Sequence, residues 1–173
     1  MNTREPIMNE EFLRARAARV KLLLMDCDGV MTDGRLYFNS GGECMKVFNV
    51  RDGQGISDWH RAGYRSGVIS GRGSSEILRR RIEELGMEFL ITDSRNKGHD
   101  LERILGETGL VADEVAFIGD DTGDIEVLKL VGFPVAVADA AENLGQFVIF
   151  RTEALGGMGA VRELTDLLLT LKS

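Results

Sequence analysis

Val20-Lys21-Leu22-Leu23-Leu24-Met25-Asp26-Cys27-Asp28-Gly29 is the stretch that orders the rest of the chain. An almost uninterrupted apolar run of strand length, stopping at two aspartates and a glycine, reads as a strand buried on both faces and followed by a loop. Upstream, Glu10 to Arg19 has a helical pattern. Downstream, Arg35 to Val50 alternates around the turn signal Asn39-Ser40-Gly41-Gly42, which predicts a β-hairpin projecting from the first loop. A helix over Ile56 to Ala62, closed by Gly63, comes next.

Strand candidates Arg65–Ser70, Phe89–Thr92 and Glu114–Ile118 each precede a helical pattern, at Glu76–Leu85, Gly98–Thr108 and Asp124–Val131. Val135–Ala138 and Phe147–Phe150 read as further strands, and Ala160–Leu171 as a last amphipathic helix. Strands alternating with helices predict an α/β fold, a mainly parallel Rossmann-like sheet covered by helices on both faces. The expected organisation is one domain over 1–173, with an N-terminal extension (1–19), a hairpin flap (34–50) and a glycine-rich tail with the last helix (151–173). Ligands of such sheets bind beyond the carboxyl ends of the strands. Asp26, Ser70 and Asp120 all fall there, so three crossovers bring them to one edge.

Asp26 and Asp28 are two apart, so on an extended segment both side chains point the same way. Taken alone, Asp-x-Asp is more often turn chemistry or helix capping. Here Asp120, Asp121 and Asp124 add three acids at a second strand end. Five carboxylates imply a hard cation, and oxygen ligands with an open sphere favour Mg²⁺. A calcium-binding EF-hand loop starting at Asp26 is excluded, because Val30 and Met31 occupy its third-ligand and glycine positions. Ser70-Gly71-Arg72, with Ser74 and Ser75 beyond it, offers a hydroxyl and helix-start amides to an anion. Lys97 before the next helix can balance phosphate and carboxylate charge together. Arg72 suits a second substrate anion or a pairing with Glu76. These parts specify phosphoryl transfer to an aspartate and hydrolysis of the aspartyl phosphate. A receiver-like phosphoacceptor domain is the reading from another class.

The chain has 173 residues, 43% of them hydrophobic, and a formal net charge of −7. That length buries a core without disulfides, and the acidic balance argues against nucleic acid and anionic membranes as partners. No apolar run approaches the roughly 20 residues of a membrane span, and Met1 to Arg19 does not read as a signal peptide. Cys27 and Cys44 form no framework, which suits a reducing cytoplasm.

Leu22 to Asp33, Ser70, Lys97 and Gly119-Asp120-Asp121-Thr122-Gly123-Asp124 resemble the four motifs of the haloacid dehalogenase superfamily of phosphatases. The resemblance implies Asp26 as nucleophile and Asp28 as general acid and base. It implies Mg²⁺ held by Asp26, the Asp28 carbonyl and Asp120, with Asp121 or Asp124 in support. Neither the interval from Asp26 to Ser70 nor that from Lys97 to Asp120 can hold a cap domain. Phe48 to Ile56 and Gly156-Gly157-Met158-Gly159-Ala160-Val161-Arg162-Glu163 resemble, within that superfamily, the 3-deoxy-D-manno-octulosonate 8-phosphate (KDO 8-phosphate) phosphatases. This implies a sugar-phosphate substrate, a role in lipopolysaccharide synthesis, and a homotetramer whose neighbouring subunits close the site. Gly71, Arg72, Thr32, Arg51, Gly157 and Arg162 are the implied substrate-binding positions. The chain departs from the pattern at Thr92-Asp93-Ser94-Arg95 and at Met158, which keeps the related deoxynonulosonate 9-phosphate phosphatases as an alternative.

Overall fold

A computed structural model describes residues 10–73 and 76–173, so Ser74, Ser75 and the first nine residues lie outside it. Helix α1 (Glu10–Arg19) leads into β1 (Leu22–Met25), whose four side chains are all buried, as an unalternating apolar run requires. The hairpin follows as β2 (Tyr37–Asn39) and β3 (Gly42–Met45), antiparallel and separate from the main sheet. Then come α2 (Val50–Arg61), β4 (Arg65–Ile69), α3 (Glu76–Leu85), β5 (Phe89–Ile91), α4 (Lys97–Thr108) and β6 (Val115–Gly119). The chain finishes with α5 (Ile125–Leu128), β7 (Phe133–Ala136), β8 (Phe150–Arg151) and α6 (Ala160–Lys172).

Six strands form one wholly parallel sheet in the order β5-β4-β1-β6-β7-β8. Counted along the chain that is 3-2-1-4-5-6, the doubly wound order, and the direction of winding reverses between β1 and β6. Right-handed crossovers then place α2 and α3 on one face and α4 and α5 on the other. Helix α6 returns to pack on α1 and α2. Between β1 and β4 the chain holds a tight turn over Cys27–Met31, the hairpin and α2. No helix among the described residues is long and apolar enough to cross a membrane.

Several boundaries differ from the sequence reading. Helix α2 begins at Val50 instead of Ile56, because Asn49 accepts the Arg51 amide at 2.8 Å and caps it. Gly53 and Gly55 lower helix propensity by about 1 kcal/mol each, but α6 crosses so closely that a Cβ on Gly55 would lie 2.4 Å from Thr165 Oγ1. β7 starts earlier than expected and includes Pro134, whose carbonyl accepts from Ile149 at 3.0 Å. Phe147 ends a 3-10 turn, so β8 starts later, and α5 is a single turn.

Candidate active site

The reversal point between β1 and β6 places Asp26 and Asp120 side by side, with Ser70 beyond β4 and Lys97 at the start of α4. Asp26, Asp28, Ser70, Gly71, Arg72, Lys97, Asp121 and Gly123 line a cleft of about 200 Å³. Asp26 Oδ1 accepts the Cys27 amide at 2.6 Å, and Oδ2 stands 2.9 Å from Lys97 Nζ. Asp124, 1% exposed, accepts from Lys97 at 2.6 Å with one oxygen and from the Asp120 and Asp121 amides with the other. It therefore fixes both the lysine and the acidic loop. Asp121 accepts the Thr122 amide at the mouth.

Carboxylate oxygens of Asp26, Asp120 and Asp124 lie within 4.8 Å of one another. One lysine opposes three acids. Burial, outweighing Lys97, lifts the Asp26 pKa to about 6, and burial with the charges of Asp26 and Asp124 lifts Asp120 to about 8. Burial disfavours the Lys97 ammonium, yet Asp26 and Asp124 outweigh it and hold its pKa above the ordinary value. Asp120 Oδ1 is buried without a hydrogen-bond partner. An orphaned carboxylate oxygen among three acids opposed by one lysine fits a divalent cation with oxygen ligands. The backbone of the first loop belongs to the same group, since a Cβ on Gly29 would lie 2.0 Å from Asp120 Oδ2. Cys27 is buried beneath the cluster, and that burial, then the charge of Asp28, pushes its thiol far above the nucleophilic range.

In the metal-free protein a cation must displace the proton that Asp120 holds below about pH 8 and Asp26 below about pH 6. The unfolded chain releases both near pH 4, so the metal-free fold loses stability as pH rises from about 4 to about 8. Mg²⁺ titrated by thermal shift should bind at least about tenfold more tightly at pH 8.5 than at pH 6.5. Asp120→Asn should remove the Mg²⁺-induced shift and raise the melting temperature of the metal-free protein at pH 8.5. A pH-independent Mg²⁺ affinity would contradict this reading of the cluster.

Asp28 departs from the sequence expectation. Residues Cys27–Met31 wind into a tight turn with Gly29 at φ 92°, so the two carboxyls do not point together. The Asp28 carboxyl turns to Lys46 Nζ at 2.5 Å and to Arg72 Nε at 3.5 Å. Lys46 and Glu43, both from the hairpin, went unread in the sequence, because only the hairpin's fold over the first loop reveals them. Ser70 is buried and its Oγ accepts the Arg72 amide at 3.3 Å, which shapes the Ser70-Gly71-Arg72 turn. Arg72 pairs with Asp28 and does not pair with Glu76, whose partners are Arg79 and Arg80.

Thr32, Arg51, Gly157 and Arg162 do not line the cleft that this one chain forms. Thr32 Oγ1 accepts the Gly29 and Gly34 amides and closes the first loop. Both backbone groups of Gly157 are committed, the amide to Val30 O at 2.8 Å and the carbonyl to Asn49 Nδ2 at 3.3 Å. Arg162 pairs with Asp166 and Asp58, and its amide donates to Asp52 at 2.8 Å. Asp52 thus joins the two diagnostic stretches by capping α6 from the first turn of α2. Arg51 is exposed on α2. Asp93 takes a left-handed φ of 57°, and its amide donates to Arg72 O at 3.0 Å.

Fold and site together define a hydrolase of the haloacid dehalogenase class, with a Rossmann-like sheet, and the haloacid dehalogenase-like hydrolase family matches residues 69–153. A 3-deoxy-D-manno-octulosonate 8-phosphate phosphatase of Escherichia coli is 39% identical over 155 residues, covering 90% of this chain and 82% of the relative. One from Haemophilus influenzae is 36% identical over 157 residues, covering 91% and 87%. The crystal structure of the Moraxella catarrhalis phosphatase, in complex with magnesium, phosphate and a KDO molecule, superposes with a TM-score of 0.90 at 33% identity, covering 95% of this chain and 93% of that one. The chain belongs to the 3-deoxy-D-manno-octulosonate 8-phosphate phosphatase family.

Proposed function

We propose that this protein is a Mg²⁺-dependent phosphatase that hydrolyses 3-deoxy-D-manno-octulosonate 8-phosphate to KDO and phosphate through an aspartyl phosphate on Asp26. The observation that carries the reading is the Asp26–Lys97 pair at the winding reversal, with Asp28 turned away from the metal-binding acids on the same cleft. Asp26, Asp120 and the Asp28 main chain would hold Mg²⁺, with Asp124 and Asp121 in support; when bound, the ion neutralises carboxylate and phosphoryl charge.

Lys97 and the Ser70 hydroxyl bind phosphoryl oxygens. An Asp26 oxygen attacks phosphorus, and the bond to the sugar oxygen breaks as that oxygen takes a proton from Asp28. Asp28, now a carboxylate, takes a proton from water as the water oxygen attacks the aspartyl phosphate. The bond to Asp26 breaks and its electron pair returns to the carboxylate. Charge neutralisation and positioning supply most of the rate.

A receiver-like domain fits less well, because sheets of that kind are ordered 2-1-3-4-5 and this one is 3-2-1-4-5-6. Assembly as a homotetramer in the cytoplasm, serving lipopolysaccharide synthesis, belongs to the same proposal. Phe38 (60% exposed), Val50 (81%) and Met158 (60%) support it, being large apolar side chains on the hairpin, the start of α2 and the C-terminal turn. Neighbouring subunits would then present Arg51 and Arg162 to a shared cleft.

The test is a panel of sugar phosphates, octulosonate and nonulosonate phosphates included, assayed with and without Mg²⁺ on protein sized by light scattering. The octulosonate 8-phosphate should be the best substrate, turnover should vanish with chelator, and the mass should be that of a tetramer. Preference for an unrelated phosphate would overturn the substrate, and a monomer would overturn the shared site.

A further inference from the structure

Four charges from three separate segments close a ring beside the cleft. Lys46 Nζ lies 2.5 Å from Asp28 and 3.0 Å from Glu43, and Arg72 lies 3.5 Å from Asp28 and 3.6 Å from the same Glu43 oxygen. Asp28 comes from the loop after β1, Arg72 from the loop after β4, and the other two from the hairpin. The Lys46 side chain is only 3% exposed, although its hairpin neighbours Met45 and Val47 are open to solvent. A lysine withdraws from water to that extent only where its charge is paired. Here one partner is a residue of the reaction and the other, Glu43, has no place in the cleft lining.

We infer that Lys46, held by Glu43, is a positioning residue that keeps the Asp28 carboxyl turned toward the leaving oxygen and out of the metal-binding acids. Two aspartates two residues apart would otherwise compete for the same cation. Lys46 takes Oδ1 of Asp28, Arg72 faces Oδ2, and the carboxyl stays outside the group formed by Asp26, Asp120 and Asp124. The hairpin thereby becomes part of the proton-transfer apparatus. This rests on the reading of Asp28 as the general acid and base.

The Mg²⁺-loaded Lys46→Met protein tests the inference with two substrates, octulosonate 8-phosphate and p-nitrophenyl phosphate. The p-nitrophenolate leaving group needs no proton, so phosphorylation of Asp26 should survive and a first-turnover burst should match the enzyme concentration. Steady-state kcat on either substrate should fall about 100-fold, the usual scale of acid–base assistance, with KM on the sugar phosphate changed less than threefold. Single turnover of the sugar phosphate should slow to the same degree. Lys46→Arg, which keeps the charge, should recover at least a third of the lost rate on a logarithmic scale. Loss of the burst along with turnover, a change in KM alone, or unchanged kinetics would each overturn the inference. Asp28→Asn serves as the control. If it shows the burst and slow turnover while Lys46→Met does not, the role of Lys46 fails and that of Asp28 stands; if Asp28→Asn turns over the sugar phosphate normally, the reading of Asp28 fails.

Discussion

Asp26→Asn should lower kcat on octulosonate 8-phosphate by about 10⁴-fold or more, the scale seen when an enzyme loses its nucleophile. The amide is neutral and a poor nucleophile, and it returns no carboxylate when the intermediate breaks down. The fold should not suffer. Burial already lifts the Asp26 pKa to about 6, so its negative charge at neutral pH opposes folding of the metal-free chain. Lys97 keeps Asp124 as a partner at 2.6 Å, and the amide oxygen can still accept from Cys27. Phosphate release by the Mg²⁺-loaded variant and its melting temperature without metal are the two measurements. Near-normal turnover would remove Asp26 from the chemistry, whereas loss of fold would recast it as structural.

Gly156→Ala should be the most damaging change outside the acidic cluster. A Cβ there would lie 1.8 Å from Gly29 O and 3.3 Å from Thr32 O, both backbone atoms of the loop that carries Asp28. No side-chain rotation relieves such a clash, so the loop or the C-terminal turn must move. The neighbouring bonds resist that movement: Gly156 donates to Asp139 at 2.9 Å and Gly157 to Val30 at 2.8 Å. Overpacking of this kind costs about 2 kcal/mol or more, which lowers the melting temperature by about 4–8 °C in a chain of this size. A loop displaced by about 1 Å costs about 100-fold in kcat. Gly106→Ala, at an exposed position of α4 where a Cβ meets nothing within 4 Å, should leave kcat unchanged and stability equal or higher. Equal behaviour of the two variants would show that the C-terminal turn does not hold the loop.

Asp26, Asp28 and Asp120 were legible because β1 and β6 are written as nearly unbroken apolar runs and the acids follow where those runs end; Ser70 stands just past β4, and Lys97 at the start of the next helix, α4. Position at a strand end then follows from topology alone. The direction a side chain takes beyond that end does not. Asp28 reads as a twin of Asp26 in the sequence, yet the turn at Gly29 and the hairpin's Lys46 draw its carboxyl elsewhere. Which hairpin residues face inward depends on how the ribbon folds over the loop, a tertiary fact. Asp52 and Gly55 were opaque for a similar reason. A glycine pair argues against helix locally, and only the close crossing of α6 explains why α2 contains it. The resemblance makes Gly157 of the C-terminal stretch a substrate contact, and the structure packs Gly156 and Gly157 onto the first loop of the same chain.

The central claim is an aspartyl phosphate at one position, and chemical trapping reaches it directly. Mg²⁺-loaded protein turning over octulosonate 8-phosphate, quenched with borohydride and digested, should yield the peptide spanning Leu22 to Asp33 with homoserine in place of Asp26, because borohydride reduces an acyl phosphate and leaves free carboxylates alone. Homoserine at Asp28 or Asp120, or an unmodified peptide from a quench of Asp28→Asn turning over p-nitrophenyl phosphate, whose leaving group needs no proton while breakdown of the intermediate is slowed, would contradict it.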